Sequence, residues 1–172
     1  TRKPQKRKVV LKLQTVNFVV QFEEAFEIEA DPLSSVHVCE IDFADLIEGR
    51  EDSVFAEAAF EEDDGKVTEE IETFVPFKHL QIEKTSISYS IIEVTDEYVI
   101  RMVSSSLVLF VELDLKQADG IFSENYFNLS SKREKVITLK KSEIRYPTLD
   151  AQPIQSGWDL EQQLVIRSWS DT

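Results

Sequence analysis

The sequence predicts an all-β protein built from two β-sandwich modules in tandem. Three observations carry that expectation. Apolar and polar residues alternate with a period of two through most of the chain, as in half-buried strands. Helical periodicity is not sustained over any appreciable length. Strand patterns also restart after the seam Val75-Pro76-Phe77-Lys78-His79-Leu80, because Pro76 cannot donate to a central ladder. The expected division is residues 1–78 and residues 79–172, with a basic N-terminal arm over residues 1–8. The 172 residues suffice for two small domains, and the 42% hydrophobic fraction, with eleven Phe, suffices for packed cores.

Taken in order, residues 9–13, 17–22 and 25–30 read as strands, and Asp31-Pro32 as a break. Residues 35–43 alternate again, with His37, Cys39, Ile41 and Phe43 on the more apolar face. Residues 44–49 are long enough for one helical turn closed by Gly49. Residues 54–62 and 66–77 flank Asp63-Asp64-Gly65, a hairpin signal because an Asp-Gly pair suits positive φ. In the second module, residues 86–94, 97–103 and 107–115 are joined by short connections and read as a meander. A phase switch between Ile91 and Ile92 reads as a β-bulge. Leu107, Leu109, Val111, Leu113 and Leu115 place five aliphatics on one face. Residues 135–140 and 164–169 complete the strands, and residues 144–157 read as an extended crossing segment.

Charge and composition exclude several functions. A formal net charge of −14 disfavours nucleic acid, because phosphates are repelled. The run Arg2-Lys3-Pro4-Gln5-Lys6-Arg7-Lys8 holds five of the nineteen basic residues and reads as a solvated tail. No apolar run approaches a membrane span, so no membrane partner is expected. Cys39 is the single cysteine, which rules out an intrachain disulfide and fits a reducing, cytoplasmic location. The chain starts at Thr1 and holds one Met, Met102, which fits a piece of a longer polypeptide.

Candidate chemistry is sparse. Cys39 with His37 two residues away lacks an orienting group or oxyanion element, so it reads as a small apolar strand residue. Two histidines, His37 and His79, cannot build a histidine-rich metal site, and His79 reads as a structural polar residue. Glu61-Glu62-Asp63-Asp64 lacks the ligand spacing of a calcium loop. Carboxylate pairs such as Glu112 with Asp114 and Glu27 with Glu29 read as solvated sheet faces. Trp158, Trp169, Tyr126 and Tyr146 are candidate sugar-stacking platforms, although packing into cores or between modules is the expected use. Asn128-Leu129-Ser130 is a formal glycosylation sequon. No catalytic, cofactor-binding or metal-ligating residue is assigned, and no cofactor is expected.

One stretch is more specific. After the aliphatic strand comes Asp119-Gly120, then Phe122-Ser123-Glu124-Asn125-Tyr126-Phe127, then Lys135-Val136-Ile137-Thr138-Leu139. This series resembles the C-terminal immunoglobulin-like domain of β-mannosidases of glycoside hydrolase family 2. The ending Leu164-Val165-Ile166-Arg167-Ser168-Trp169-Ser170-Asp171-Thr172 is similar to their closing strand, and residues 54–62 with the following hairpin resemble the preceding domain. The likeness covers roughly residues 35–172, and residues 1–34 read as a trimmed edge. Glu124 stands where the family commonly has Asp, and Ser130-Ser131-Lys132-Arg133-Glu134 where it often has a Pro-Gly turn.

The resemblance implies that both sandwiches are immunoglobulin-like, the first partial, and that together they form a non-catalytic accessory region. Its partner would be the catalytic (β/α)₈ barrel of the same polypeptide, a fold of about 250 residues that has no room here. The parent would remove terminal β-D-mannose from oligosaccharides and could form a homo-oligomer. Related exo-glucosaminidases carry similar modules. Two alternatives stand beside this reading: a carbohydrate-binding module using Trp158 or Tyr126 with weak sugar contact, and a protein-interaction sandwich.

Overall fold

The structure, a computed structural model, describes residues 5–62, 65, 67–148 and 151–171. The chain divides into two compact units, Thr1–Gln81 and Ile82–Thr172. Antiparallel strands dominate both, in keeping with the all-β class.

The first unit is built on one four-stranded sheet of order β2-β1-β3-β4, with β1 Gln5–Thr15, β2 Val20–Ala30, β3 Val54–Glu61 and β4 Val67–Thr73. The three strands read at residues 9–30 are one long hairpin. Residues 16–19 form its turn, closed where the Phe18 amide donates to the Thr15 carbonyl at 2.8 Å. Phe18 adopts the left-handed region at φ 60° and is buried edge-on to Phe55, which offsets the steric cost. The basic arm is likewise no tail from Gln5 onward. Lys6 and Lys8 sit in β1 opposite Glu29 and Glu27 of β2, because cross-strand charges of opposite sign stabilise the register. Arg2, Lys3 and Pro4 lie outside the described residues, as do Asp63 and Asp64 of the predicted hairpin turn.

Residues 35–43 do not form a ladder strand. Their alternation has a different cause: Ile41 and Phe43 lie over the sheet and pack with Leu13, Val54 and Ile47. Phe43 makes edge-to-face contacts with Phe22 at 5.4 Å and Phe74 at 6.3 Å. His37 is exposed and Cys39 half-buried, so neither reaches this cluster's centre. The helical turn is present as α1 Ala44–Ile47, and Gly49 follows at φ 73°, a conformation that glycine adopts without strain. A short 3₁₀ turn, Phe77–His79, leaves His79 exposed.

The second unit is a two-layer sandwich. One sheet has the order β5-β6-β10-β8, from β5 Ser88–Glu93, β6 Glu97–Val103, β10 Lys135–Arg145 and β8 Asp119–Phe122. The other has the order β11-β7-β9, from β11 Leu164–Arg167, β7 Val108–Leu115 and β9 Phe127–Leu129. Tyr98, Ile100, Met102, Val111, Leu113 and Leu139 are among the buried side chains shared between the layers.

Three expectations for this unit need correction. There is no meander: β5 pairs with β6, but the connection at residues 104–107 carries the chain into the other sheet. Ser104 holds that crossing by donating its hydroxyl to the Ser106 carbonyl at 2.7 Å, and both serines are buried. The bulge expected at Ile91 is absent, since β5 keeps one register against β6 from Ser88 to Glu93. It lies instead in β7, where the register against β9 shifts between Val108 and Val111 and Phe110 has φ 52°. The five-aliphatic face is therefore split: Val108, Val111, Leu113 and Leu115 share the sandwich core, and Leu107 and Leu109 are buried outside that cluster.

A helix also went unread. α2 Gly157–Gln163 follows the irregular segment and delivers Leu160 to the core. Ser156 caps it by accepting the Asp159 amide at 3.2 Å and donating to the Asp159 carboxylate at 2.9 Å. The Ser-x-x-Asp signature of a capping box was present in the sequence to find it.

Candidate functional site

The stretch between β8 and β9 is where the sequence places its most chemistry-like side chains, and the structure commits nearly all of them to holding the fold. Asn125 stands where the β9 ladder has run out. Its side-chain oxygen accepts the Leu113 amide at 2.8 Å and its NH₂ donates to the Leu113 carbonyl at 2.9 Å. One side-chain amide thereby replaces a strand residue against β7. Asn128 completes the same edge by accepting the amide of Phe110, the bulge residue, at 3.0 Å. That engagement makes the Asn128 sequon part of the ladder, with Leu129 buried beside it. Ser123 does for β10 what Asn125 does for β7: its amide donates to the Thr138 carbonyl and its hydroxyl accepts the Thr138 amide.

Glu124 forms an ion pair with Lys135 at 2.8 Å, and the Lys135 ammonium lies 5.4 Å from the Phe127 ring centroid. Phe127 is buried in the core and Phe122 packs against it, as expected of a sandwich turn. Gly120 is required by close approach: a Cβ there would meet Leu115 Cδ1 at 3.0 Å and Leu139 Cδ1 at 3.2 Å.

Tyr126 is the exception. It occupies the left-handed region at φ 59°, which costs a non-glycine residue about 1 kcal/mol or more, yet its ring is 63% exposed. Its hydroxyl donates to Glu112 Oε1 at 3.0 Å. Glu112 Oε2 also accepts from Arg167 Nη1 at 3.2 Å, and the same nitrogen reaches Asp114 at 3.4 Å. These side chains share the outer face of β11-β7-β9, where Phe110 lies edge-on to Trp169 at 6.2 Å. The Glu112 carboxylate holds the Tyr126 hydroxyl above its ordinary pKa and, with Asp114, raises that of Arg167. Sequence reading named Tyr126, Trp169, Glu112 and Asp114 separately. It missed Arg167, which brings both carboxylates together from the neighbouring strand.

The other aromatic candidates lie elsewhere in this unit. Trp158, on the first turn of α2, is 67% exposed, and Tyr146 is 39% exposed with its hydroxyl accepting the Ile154 amide. Packing into the cores, one of the two expected uses of these rings, is thus corrected: the cores are filled by aliphatic, Phe and Tyr98 side chains, and the four rings are 39–67% exposed. Beside Trp158, Glu93 bonds Lys141 at 2.6 Å and accepts the Gly157 amide at 3.2 Å. Lys141 and then the Gly157 amide hold the Glu93 carboxyl below its usual range.

Among the described residues, no group of three or more His, Cys, Asp or Glu is placed to hold a metal ion. No helix among them is long and apolar enough to cross a membrane.

Comparison with known proteins follows the division of the chain. A model described as an Ig-fold domain of mannosidases matches residues 82–172, and one described as a mannosidase Ig/CBM-like domain matches residues 1–79. No curated protein matches. Among solved structures, the chain resembles a β-D-mannosidase from Dictyoglomus thermophilum, with a TM-score of 0.72 and 18% identity over 98% of this chain and 19% of that one. It also resembles the exo-β-D-glucosaminidase CsxA, with a TM-score of 0.50 and 9% identity over 98% of this chain and 23% of that one. The chain thus spans about a fifth of these enzymes' length. At such identities the likeness concerns the fold alone, and the family rests on the two models: the chain belongs to the mannosidase Ig-fold family, with a mannosidase Ig/CBM-like domain as its first unit.

Proposed function

We propose that this chain is a non-catalytic accessory region of a β-mannosidase-like glycoside hydrolase whose chemistry resides in a barrel on the same polypeptide. The observation that carries this reading is the pair of mannosidase domain matches, which together run almost end to end through the chain. The structure supports it from the other side, since Ser123, Glu124, Asn125 and Asn128 are occupied with backbone and ion-pair partners. Retaining hydrolysis requires two carboxyls about 5 Å apart flanking a bound sugar, one of them free to act as nucleophile. Glu112 and Asp114 are neighbours, but both are engaged by one guanidinium on an open sheet face.

In this reading the whole polypeptide removes terminal β-D-mannose, in the cytoplasm, and can assemble as a homo-oligomer. The lone Cys39 is the support for that location. The test is direct. The 172-residue chain is expected to leave a chromogenic β-D-mannopyranoside intact, and the flanking coding sequence is expected to supply a (β/α)₈ barrel with two catalytic carboxylates. Turnover by the chain alone, or flanking sequence with no such barrel, overturns the proposal. Activity of the whole polypeptide on β-glucosaminides in place of β-mannosides would redirect it to the exo-glucosaminidase branch.

A further inference from the structure

We infer that the outer face of the β11-β7-β9 sheet is a carbohydrate-binding platform in which the Tyr126 ring stacks on a pyranose and Glu112, Asp114 and Arg167 bind its hydroxyls. The inference deepens the accessory role just proposed and rests on it for the choice of sugar. It concerns the second unit, whereas the CBM-like match falls on the first.

Position 126 combines a left-handed backbone with an exposed aromatic side chain. The backbone there is left-handed, a conformation that glycine or asparagine adopts at least cost, yet the residue is a tyrosine. At Phe18 the same conformation is offset by burial of the ring, whereas Leu33 and Phe110 adopt it while exposed. Burial does not offset it at Tyr126, which is 63% exposed and whose amide instead donates to the Asn125 side-chain oxygen at 3.1 Å. Nor is the hydroxyl needed to satisfy Glu112, which Arg167 already engages. The residue therefore presents an exposed aromatic face whose hydroxyl edge is fixed by Glu112.

The surroundings identify the chemistry. A pyranose offers an apolar face of C–H groups and a rim of hydroxyls. An exposed tyrosine fits the first, being apolar in its ring and polar at its tip. Two carboxylates and a guanidinium fit the second, since neighbouring hydroxyls both donate and accept. Asp114 and Glu112 project on alternate positions of one strand, and Arg167 reaches both from the next. The Phe110–Trp169 pair extends the aromatic surface along the same sheet, with Trp169 44% exposed. The Arg167 and Asp114 side chains are about half exposed, so weak, millimolar recognition of an extended chain is the expected mode.

The test is titration of the whole chain with β-1,4-linked mannobiose and mannotriose, read by tryptophan fluorescence and NMR shifts. Saturable millimolar binding is expected. Tyr126→Gly should weaken it at least tenfold while the melting temperature stays equal or rises, because glycine relieves the backbone; a merely structural tyrosine would lower it. Tyr126→Phe, which keeps the ring, should bind within about threefold of the unaltered chain, and Trp158→Ala should bind unchanged. If the glycine variant fails to fold, Tyr126→Asn, which tolerates the same φ, takes its place. Flat titrations, or binding that survives loss of the ring, overturn the platform. Either result leaves the accessory role to the turnover and coding-sequence tests, so the two proposals fail separately.

Discussion

The two units differ in how polar side chains meet their strand ladders. In the first, charge faces charge across the β1–β2 hairpin at the surface, as Lys6 with Glu29 and Lys12 with Glu23. In the second, uncharged side chains enter the ladders: Asn125 against Leu113, Asn128 against Phe110, Ser123 against Thr138. The difference follows from topology. A long hairpin satisfies its own backbone, leaving side chains to tune the register. A sandwich whose chain crosses repeatedly between sheets leaves interrupted ladders, and side chains must satisfy the backbone groups there. Surface charge therefore contributes little to the first unit, and amide groups contribute much to the second.

The largest test of that contrast is in the cores. Leu139 is fully buried between two sheets, where a cavity cannot close. Leu13 is equally buried, but the irregular segment carrying Ile41 and Phe43 covers it and can settle inward. Leu139→Ala is expected to cost about 4 kcal/mol and Leu13→Ala about 2–3 kcal/mol, measured by urea denaturation. Equal losses would mean that the first core is as rigidly enclosed as the second.

The amide ladders come next. Asn125→Ala strands both the amide and the carbonyl of Leu113 and is expected to cost about 2–3 kcal/mol. Asn128→Ala strands only the Phe110 amide, for about 1 kcal/mol. The same denaturation curves decide it, and a larger loss at Asn128 would place the weight on the bulge. Asn125→Asp keeps the acceptor but loses the donor, so it should fall between alanine and the unaltered chain.

These same residues mark how far the sequence could be read. Alternation located nearly every strand, and glycine and proline located the break at residues 31–32 and the turn at Gly49. Alternation reports that a residue faces an apolar layer, but not what lies at its side. Residues 35–43 alternate because they cover a sheet, and β7 follows β6 closely while pairing elsewhere. The motif at Asn125 was conspicuous in the sequence, but its role was not, because pairing a side chain with a backbone twelve residues away depends on the sandwich already being formed. Arg167 was invisible for the same reason: its meaning lies in the strand beside it.

The smallest effect separates the two kinds of charge. Lys6 and Glu29 form an exposed pair, so Lys6→Met should change stability by about half a kcal/mol or less, and salt should erase the difference. Glu93 is a charge put to the second unit's use: it accepts the amide of Gly157, the first residue of α2, and bonds the Lys141 ammonium. Its folded pKa lies below the ordinary carboxylate value, with the bond from Lys141 as the main cause. The unfolded chain then binds the proton more readily, so the contribution is complete above the ordinary carboxylate range and disappears as pH falls through the lower, folded value. Following the Glu93 carboxyl by NMR should show its midpoint rise when Lys141→Met removes the ammonium. It should still stop short of the ordinary value, because the Gly157 amide continues to stabilise the anion. Full return to the ordinary value would show that the backbone bond contributes nothing, and that Glu93 behaves like the surface pairs of the first unit.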